Sequence, residues 1–528
     1  MTSRNFIKGQ SSLSRRKRKL RLKNNFSGSN KQRLRFNLVF LATCWLLISI
    51  PILMPAFAPV TAAHVLTLFF AAVNLLWIIC IAYSTTFIYR LFRERPRYES
   101  GHHHEGKDLS NLNHIVAILA YKEPLELIEK TLESLKSQTQ SKQLIVVVGL
   151  EEKTPQLEWK QHYLQHNFKE AFGDLVFTIH PYKLPGEIPG KCSNMNYAIR
   201  EVVKRLKSEG RFHPKLTTVT SCDSDNLFHS KYFEYLAKEF LSSKTRHSVV
   251  WQSPLFYNWQ LSSSPFFTRV TSILRPVFMM GFLIPFNINT MSVFSLSLDL
   301  YIRGGYTHPG YQMDDIISAI RWMTEIKDRV EIKPLYIPTL SGPTSGANLL
   351  EEFHEWRRQA RRWTIGAAEV FHYFCVRCNR MPVRTAFSWG VWFTAYYCIF
   401  LCAAPIVCGL GSLMPNLYPA SSTALVLGSH EFSTVLKYMG IFQLLCLCIV
   451  FVLNSCWVKL LRINERIPLW RNVMHCFLSP VVVIAYSIVE FLALHEMAVV
   501  GKAACTHVPS KKDALSIRRI LDTEKKAA

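Results

Sequence analysis

Five apolar runs constrain this chain more than any other feature: 37–57, 64–91, 386–413, 435–461 and 473–500. Each can cross a hydrocarbon core of ~30 Å as a helix. Lipid offers the backbone no hydrogen-bond partner, so such segments must satisfy themselves internally, as helices do. The chain is therefore expected to place two transmembrane helices at 36–92 and about three transmembrane segments at 386–500, on either side of a central region of ordinary mixed composition. The first run stands too deep behind a long basic arm to read as a cleaved leader.

The charge distribution orients these helices. The formal charge is +25, but it is unevenly spread. Residues 1–35 form a basic arm with the block Arg15-Arg16-Lys17-Arg18-Lys19 and no acid. The second run ends in Tyr89-Arg90, and Arg93, Arg95 and Arg97 follow. Positive flanks stay in the cytosol, which puts both ends of the first hairpin there. The arm also suits anionic lipid headgroups. No nucleic-acid-binding signature accompanies it, so nucleic acid is not an expected partner. The loop 414–434 has no Lys or Arg and should face away from the cytosol, whereas Lys459, Arg462, Arg466 and Arg471 belong inside. The basic tail, 501–528, prefers the cytosol too, yet five crossings would leave it outside. Either the last run is a hairpin or surface helix, or the charge bias is overridden. The 14 cysteines, many within apolar runs, show no disulfide spacing and read as small buried residues. Cys375-x-x-Cys378 lacks a second pair, and His102-His103-His104 falls in a polar linker.

The central region, 110–345, alternates strand and helix patterns. His114–Ala120 is a continuous apolar run of strand length, broken by Tyr121-Lys122-Glu123-Pro124. Leu125, Ile128, Leu132 and Leu135 then recur at helical spacing, and Gln143–Val148 is a second apolar strand. Such a strand–helix–strand unit implies a parallel sheet with crossover helices. Ligands on these sheets gather at the carboxyl ends of the strands. Three polar clusters fall there: Tyr121/Glu123, Glu151/Glu152 and Asp223/Asp225. The last closes the β-branched stretch Thr217–Asn226 (TTVTSCDSDN). Two Asp at i and i+2 of a strand leave on the same side, and their hard oxygens suit a divalent cation shared with substrate phosphates. A Gly/Pro-rich loop delivers Lys191 to the start of a helix, where an ammonium can meet a phosphate. Val249–Phe256 reads as a further strand. The apolar stretch 273–286, interrupted by Arg275, Pro276 and Pro285, is too short and broken for a span and reads as buried or interfacial.

Two more features complete the set. Asp314-Asp315 precedes the helical run Ile317, Ile320, Met323; acids favour a helix N-terminus, so helix capping is the bland alternative for one of the two. In 346–380, Leu349, Phe353, Trp356, Ala360, Trp363, Ala367, Val370 and Phe374 form one apolar stripe of an amphipathic helix suited to a membrane surface. Gln359 and Arg362, at i and i+3, share a face beside Trp363.

In this order the motifs HIVAILAYKEP, GKCSNMN, SCDSD, QMDD and QARRW resemble those of membrane-integrated family 2 glycosyltransferases of the cellulose, chitin and hyaluronan synthase-like type, over residues 110–380. The resemblance implies an α/β GT-A (Rossmann-like) glycosyltransferase domain inserted between α-helical transmembrane segments. It implies inverting transfer from a nucleotide-sugar donor, UDP-linked, to a polysaccharide growing at the membrane, with translocation of the product. Asp223 and Asp225 would hold Mg²⁺ or Mn²⁺ on the diphosphate, and Asp315, with Asp314 as the secondary acid, would be the general base. Tyr121, Glu123, Glu151, Lys191, Gln359, Arg362 and Trp363 would contact the donor. Where the family places Asn before the first Glu and Asp after the second strand, this chain has Lys122 and Glu151. Two rivals are a non-processive transferase that glycosylates a membrane lipid, and a catalytically inactive membrane scaffold or transporter. The expected location is a multi-pass membrane protein with its catalytic domain in the cytosol, in contact with membrane lipids and a glycan or lipid acceptor.

Overall fold

The computed structural model describes residues 30–99, 109, 111–182, 184–259, 261–262, 264–342, 349–417, 430–461 and 467–505. The basic block at 15–19, the linker histidines, most of the charge-poor loop and the tail beyond Cys505 lie outside the described residues.

Two long helices, α1 (Asn30–Phe57) and α2 (Pro59–Glu99), lead into the α/β region. Strand β1 (Asn113–Ala120), helix α3 (Leu125–Lys136) and strand β2 (Leu144–Glu151) form the expected parallel unit. Strand β3 (Asp174–His180), helix α4 (Lys191–Ser208) and strand β4 (Thr217–Asp223) continue it. Then come β5 (Asn226–Phe228), β6 (Val249–Gln252) and β7 (Leu255–Phe256). Helix α5 (Phe266–Phe278) runs on as a wider turn, Met279–Leu283. Next are β8 (Phe294–Ser297), α6 (Asp314–Ile326), β9 (Glu331–Pro334) and β10 (Thr339–Ser341). Helix α7 (Leu349–Arg377) carries Gln359, Arg362 and Trp363. After the helical stretch Val383–Leu413 come α8 (His430–Leu461) and α9 (Leu469–Val500).

The main sheet has the order β3-β2-β1-β4-β8-β6-β9, with β3, β2, β1 and β4 parallel and β8 antiparallel to both its neighbours. A second sheet, β5-β10-β7, stands apart. This is an α/β, Rossmann-like architecture of the kind expected from the sequence, lying between apolar helices. Strands β1 and β2 read as unbroken apolar runs because both faces of the sheet are covered; Ile115 to Ile118 and Val146 to Val148 are fully buried. Each Ile or Val among them is worth ~1.5–3 kcal/mol of burial. Strand order reverses between β2 and β4, the two neighbours of β1, and that reversal opens a crevice at the carboxyl ends of β1 and β4. The register sets Leu119 opposite Asp223 and Ala120 opposite Leu150, so all three polar clusters reach the crevice at one level.

Two sequence expectations change in detail. Val249–Phe256 is two short strands in two sheets: β6 pairs with β8 and β9, β7 with β10. Pro254 lies between them and brings no N–H to a ladder. Strand β4 ends at Asp223, and Ser224-Asp225 is a turn into β5. The Asp223 N–H donates to Asn226 Oδ1 at 2.6 Å. Strand alternation therefore does not set the relative direction of the two Asp side chains; the tight turn does.

Six helices among the described residues are long and apolar enough to cross a membrane. Five match the apolar runs. The sixth, Phe266–Leu283, is 78% buried within the protein. Ser84 Oγ of α2 donates to Val277 O at 2.8 Å, and Gly281 lies so close to Cys80 that a methyl group there would collide with its sulfur. It is a buried segment packed on α2. The last apolar run is one continuous helix, α9, not a hairpin. Near its start, Arg471 Nη1 donates to Ser262 O at 3.3 Å and Arg269 Nε to His475 Nε2 at 3.1 Å. Near its end, Arg361 Nε donates to Glu496 Oε2 at 2.6 Å, and Arg361 Nη2 to Ala504 O at 3.3 Å. Both ends of α9 thus touch the segments that border the crevice.

Candidate active site

The crevice is a cavity of about 500 Å³. Every candidate singled out from the sequence lines it: Tyr121, Glu123, Glu151, Lys191, Asp223, Asp225, Asp314, Asp315, Gln359, Arg362 and Trp363. They come from six separate stretches of chain, and the topology alone brings them together.

The acidic floor is built by β4 and α6. Asp314 opens α6 and is 1% exposed. Its Oδ2 accepts from Ser221 Oγ at 3.0 Å, and its Oδ1 lies 3.4 Å from Lys191 Nζ. Burial raises the Asp314 carboxyl above its ordinary range, against the pull of Lys191. Asp315 is held differently. Its Oδ1 accepts from the Ile316 N–H at 3.0 Å, and its second oxygen takes no hydrogen bond from any described residue. Burial, reinforced by the charge of Asp314, pushes the Asp315 carboxyl up to about 7. One acid of the pair is locked into the wall and the other faces the cavity as a neutral-range proton acceptor.

Lys191 bridges the two sources of acid. Its Nζ is 2.9 Å from Asp223 Oδ1 and 3.5 Å from Ser292 O. Burial works against its charge, but Asp223, Asp314 and Asp315 outweigh burial and hold the ammonium above its ordinary value. It starts α4 directly after Gly190, whose φ of 150° a residue with a side chain rarely adopts; the glycine lets the loop turn into the helix at that point. Three residues on, Asn194 Nδ2 donates to Gly149 O at 2.9 Å and ties α4 to β2.

Asp225 is 6% exposed and its carbonyl accepts from the Gly342 N–H at 2.8 Å. A Cβ at Gly342 would lie 2.8 Å from the Asp225 Cβ and 3.0 Å from its Oδ2. The space beside that carboxylate exists because residue 342 has no side chain. No group of three or more His, Cys, Asp or Glu suited to a metal is present among the described residues. Asp223 and Asp225 fit a hard divalent cation as a partial ligand set, completed by phosphate oxygens and water.

The far side of the cavity, where β1 and β2 end, holds a second polar cluster. The Tyr121 N–H donates to Glu123 Oε2 at 2.7 Å, and Lys160 Nζ to Glu123 O at 2.8 Å. His180 lies between two carboxylates, with Nδ1 3.0 Å from Glu151 Oε2 and Nε2 2.9 Å from Glu187 Oε2. Burial disfavours its charge, but the hydrogen bonds and charges of Glu151 and Glu187 prevail and raise His180 to about 9. Glu151 is thereby fixed at the cavity edge.

Helix α7 forms the wall facing the membrane helices. Its Trp356 Nε1 donates to Thr271 Oγ1 of α5 at 2.8 Å. Burial lowers the Arg362 guanidinium, with Asp223 and Asp315 opposing the shift. Two residues that sequence reasoning missed complete this wall, Tyr257 and Arg275. Arg275 was visible only as a charge interrupting an apolar stretch. A charge kept inside a segment packed on membrane helices is itself a functional signal.

No family model matches the sequence, and no curated protein matches it. Solved structures overlap the fold loosely. A mannosyltransferase, PcManGT, from Pyrobaculum calidifontis in complex with GDP-Man and Mn²⁺ shares 15% identity at a TM-score of 0.39, covering 71% of this chain and 97% of that one. Staphylococcus aureus TarS shares 15% at 0.29, covering 62% and 55%. Glucosyl-3-phosphoglycerate synthase from Mycobacterium tuberculosis, with Mn²⁺, UDP and phosphoglyceric acid, shares 14% at 0.28, covering 53% and 86%.

Proposed function

We propose that this chain is a membrane-embedded inverting glycosyltransferase that moves a sugar from a nucleotide sugar, UDP-linked, onto a polysaccharide growing at the membrane. The observation that carries this reading is the convergence, in one cavity, of an acidic turn, a paired lysine, a buried carboxylic acid pair and the Gln359/Arg362/Trp363 face.

The acceptor hydroxyl oxygen attacks the anomeric carbon while the bond from that carbon to the diphosphate oxygen breaks. Asp315 takes the hydroxyl proton through its unengaged oxygen. A carboxyl near neutrality can accept that proton and release it to water afterwards. Asp314 stays fixed by Ser221 and Lys191 and holds α6 in place. Lys191 and Arg362 bind the diphosphate and Trp363 offers a flat face to a sugar. Glu123 and Glu151 fix the nucleoside end. A divalent metal held by Asp223 and Asp225 would neutralise the departing nucleoside diphosphate.

Arg90, Arg93, Arg95 and Arg97 in the last turns of α2 support a cytosolic position for the cavity. Both ends of α9 touch segments bordering that cavity, which supports reading the last apolar run as a surface helix, the alternative that keeps the basic tail on the cytosolic side. The charge bias is then obeyed rather than overridden.

The test is a panel of radiolabelled sugar nucleotides offered with Mg²⁺ or Mn²⁺ to the purified chain in detergent, with the products sized. A polymeric product supports the reading; one or two sugars on an organic-soluble product would replace the polysaccharide with a lipid acceptor. No turnover or hydrolysis of any donor would overturn the enzyme.

A further inference from the structure

The reaction above leaves one charged group of the cavity without a task. Arg275 projects from α5, and its guanidinium carbon lies 4.5 Å from the ring centroid of Tyr257 and 3.8 Å from that of Trp363. Two aromatic faces of different segments hold one guanidinium, an arrangement that fixes it in place without using its N–H groups. Among the described residues it makes no hydrogen bond and no ion pair. Arg362 is in the same condition: its Nε is buried and has no hydrogen-bond partner among the described residues. Both line the same cavity, and Arg275 acts electrostatically on both Arg362 and Asp315. Lys191, in contrast, is already engaged by Asp223 and Asp314.

A guanidinium carries five N–H donors and no acceptor. Leaving such donors unmet in a cavity wall costs free energy, and two like charges near each other add to that cost. An anion with several oxygens relieves both costs, and the planar fork of Arg matches phosphate in particular. We propose that Arg275 and Arg362 together form a two-guanidinium subsite for a phosphate group, with Arg275 as a binding residue held ready by Tyr257 and Trp363. The nature of the phosphate rests on the glycosyltransferase reading: it is either the diphosphate of the donor or a phosphate carried by a lipid acceptor entering from the side of α5. The chemistry is the same for both.

Two probes separate these sources without requiring turnover. Isothermal titration of the purified full chain in detergent is run with inorganic pyrophosphate plus Mg²⁺, and again with hexadecyl phosphate in mixed micelles. Arg275→Gln is expected to weaken at least one probe by ~10-fold or more, the loss of one charge-assisted contact. Arg275→Lys, which keeps the charge and guards against misfolding, should recover only part of it, because an ammonium cannot bind bidentately. Loss confined to pyrophosphate assigns the subsite to the donor; loss confined to hexadecyl phosphate assigns it to the acceptor. If both probes bind folded Arg275→Gln as tightly as the parent, the subsite is refuted, even in a chain that transfers sugar. If no sugar is transferred but probe binding still depends on Arg275, the subsite stands and the transfer reading falls.

Discussion

Lys191→Met removes the cation that balances the acidic floor, and its cost follows from burial. The lysine side chain is 17% exposed and that of Asp314 is 2% exposed, so water cannot replace the ammonium at Asp314. Breaking a buried pair by removing one partner costs ~3–5 kcal/mol. For an α/β region of this size that lowers the midpoint of thermal unfolding by ~6–20 °C. The assay is thermal unfolding in detergent, followed by tryptophan fluorescence, of Lys191→Met, Asp314→Asn and the double variant. If the cost comes from the uncompensated Asp314 carboxylate, Lys191→Met should cost about half as much in the Asp314→Asn background, where only Asp223 is left unpaired. Equal costs in both backgrounds would refute the reasoning, since independent sites add.

Other outcomes follow from the same geometry. His180 is raised from 6.5 to about 9 in the folded chain, so its stabilising contribution is full below pH ~6.5 and is lost as pH rises through about 9; melting temperature against pH should fall across that window, and the fall should be absent in His180→Gln. Gly342→Ala places a methyl group 2.8 Å from the Asp225 Cβ and 3.0 Å from its Oδ2, so the turn must shift; metal affinity read from activity should weaken by ~10-fold or more, and the melting temperature should fall. A protease site added at the C-terminus should be cut from the same face of sealed vesicles as a site in the loop after β2; cleavage from the opposite face would contradict the placement of α9.

Much of this was legible in the sequence, for identifiable reasons. Strands β1 and β2 announce themselves because a parallel strand covered on both faces must be apolar throughout. Polar groups that end such strands, Glu151 and Asp223 among them, have no other place to go than the crevice. Asp223 and Asp225 line one cavity, as strand alternation suggests, but a turn brings them there, because β4 stops at the first of them. Pro254 gave notice of a break within 249–256 but not that the two halves join different sheets. Tyr257 and Arg275 escaped because Arg275 lies over both the Tyr257 ring and the ring of Trp363, about ninety residues further on; no local pattern encodes that contact. The path of α9 was hidden for the same reason, since Arg361 and Glu496 are 135 residues apart.

The central claim is that Asp315 takes the acceptor proton. Asp315→Asn removes the base while keeping the side chain's size, so the Ile316 N–H keeps an acceptor. Turnover of the donor that the panel identifies, measured beside the affinity for its nucleoside diphosphate, tests the claim most directly. The expected result is a fall in kcat of ~10²–10⁴-fold, the usual worth of a positioned base, with nucleoside diphosphate binding unchanged. Turnover in Asp315→Asn equal to that of the parent chain would contradict the account.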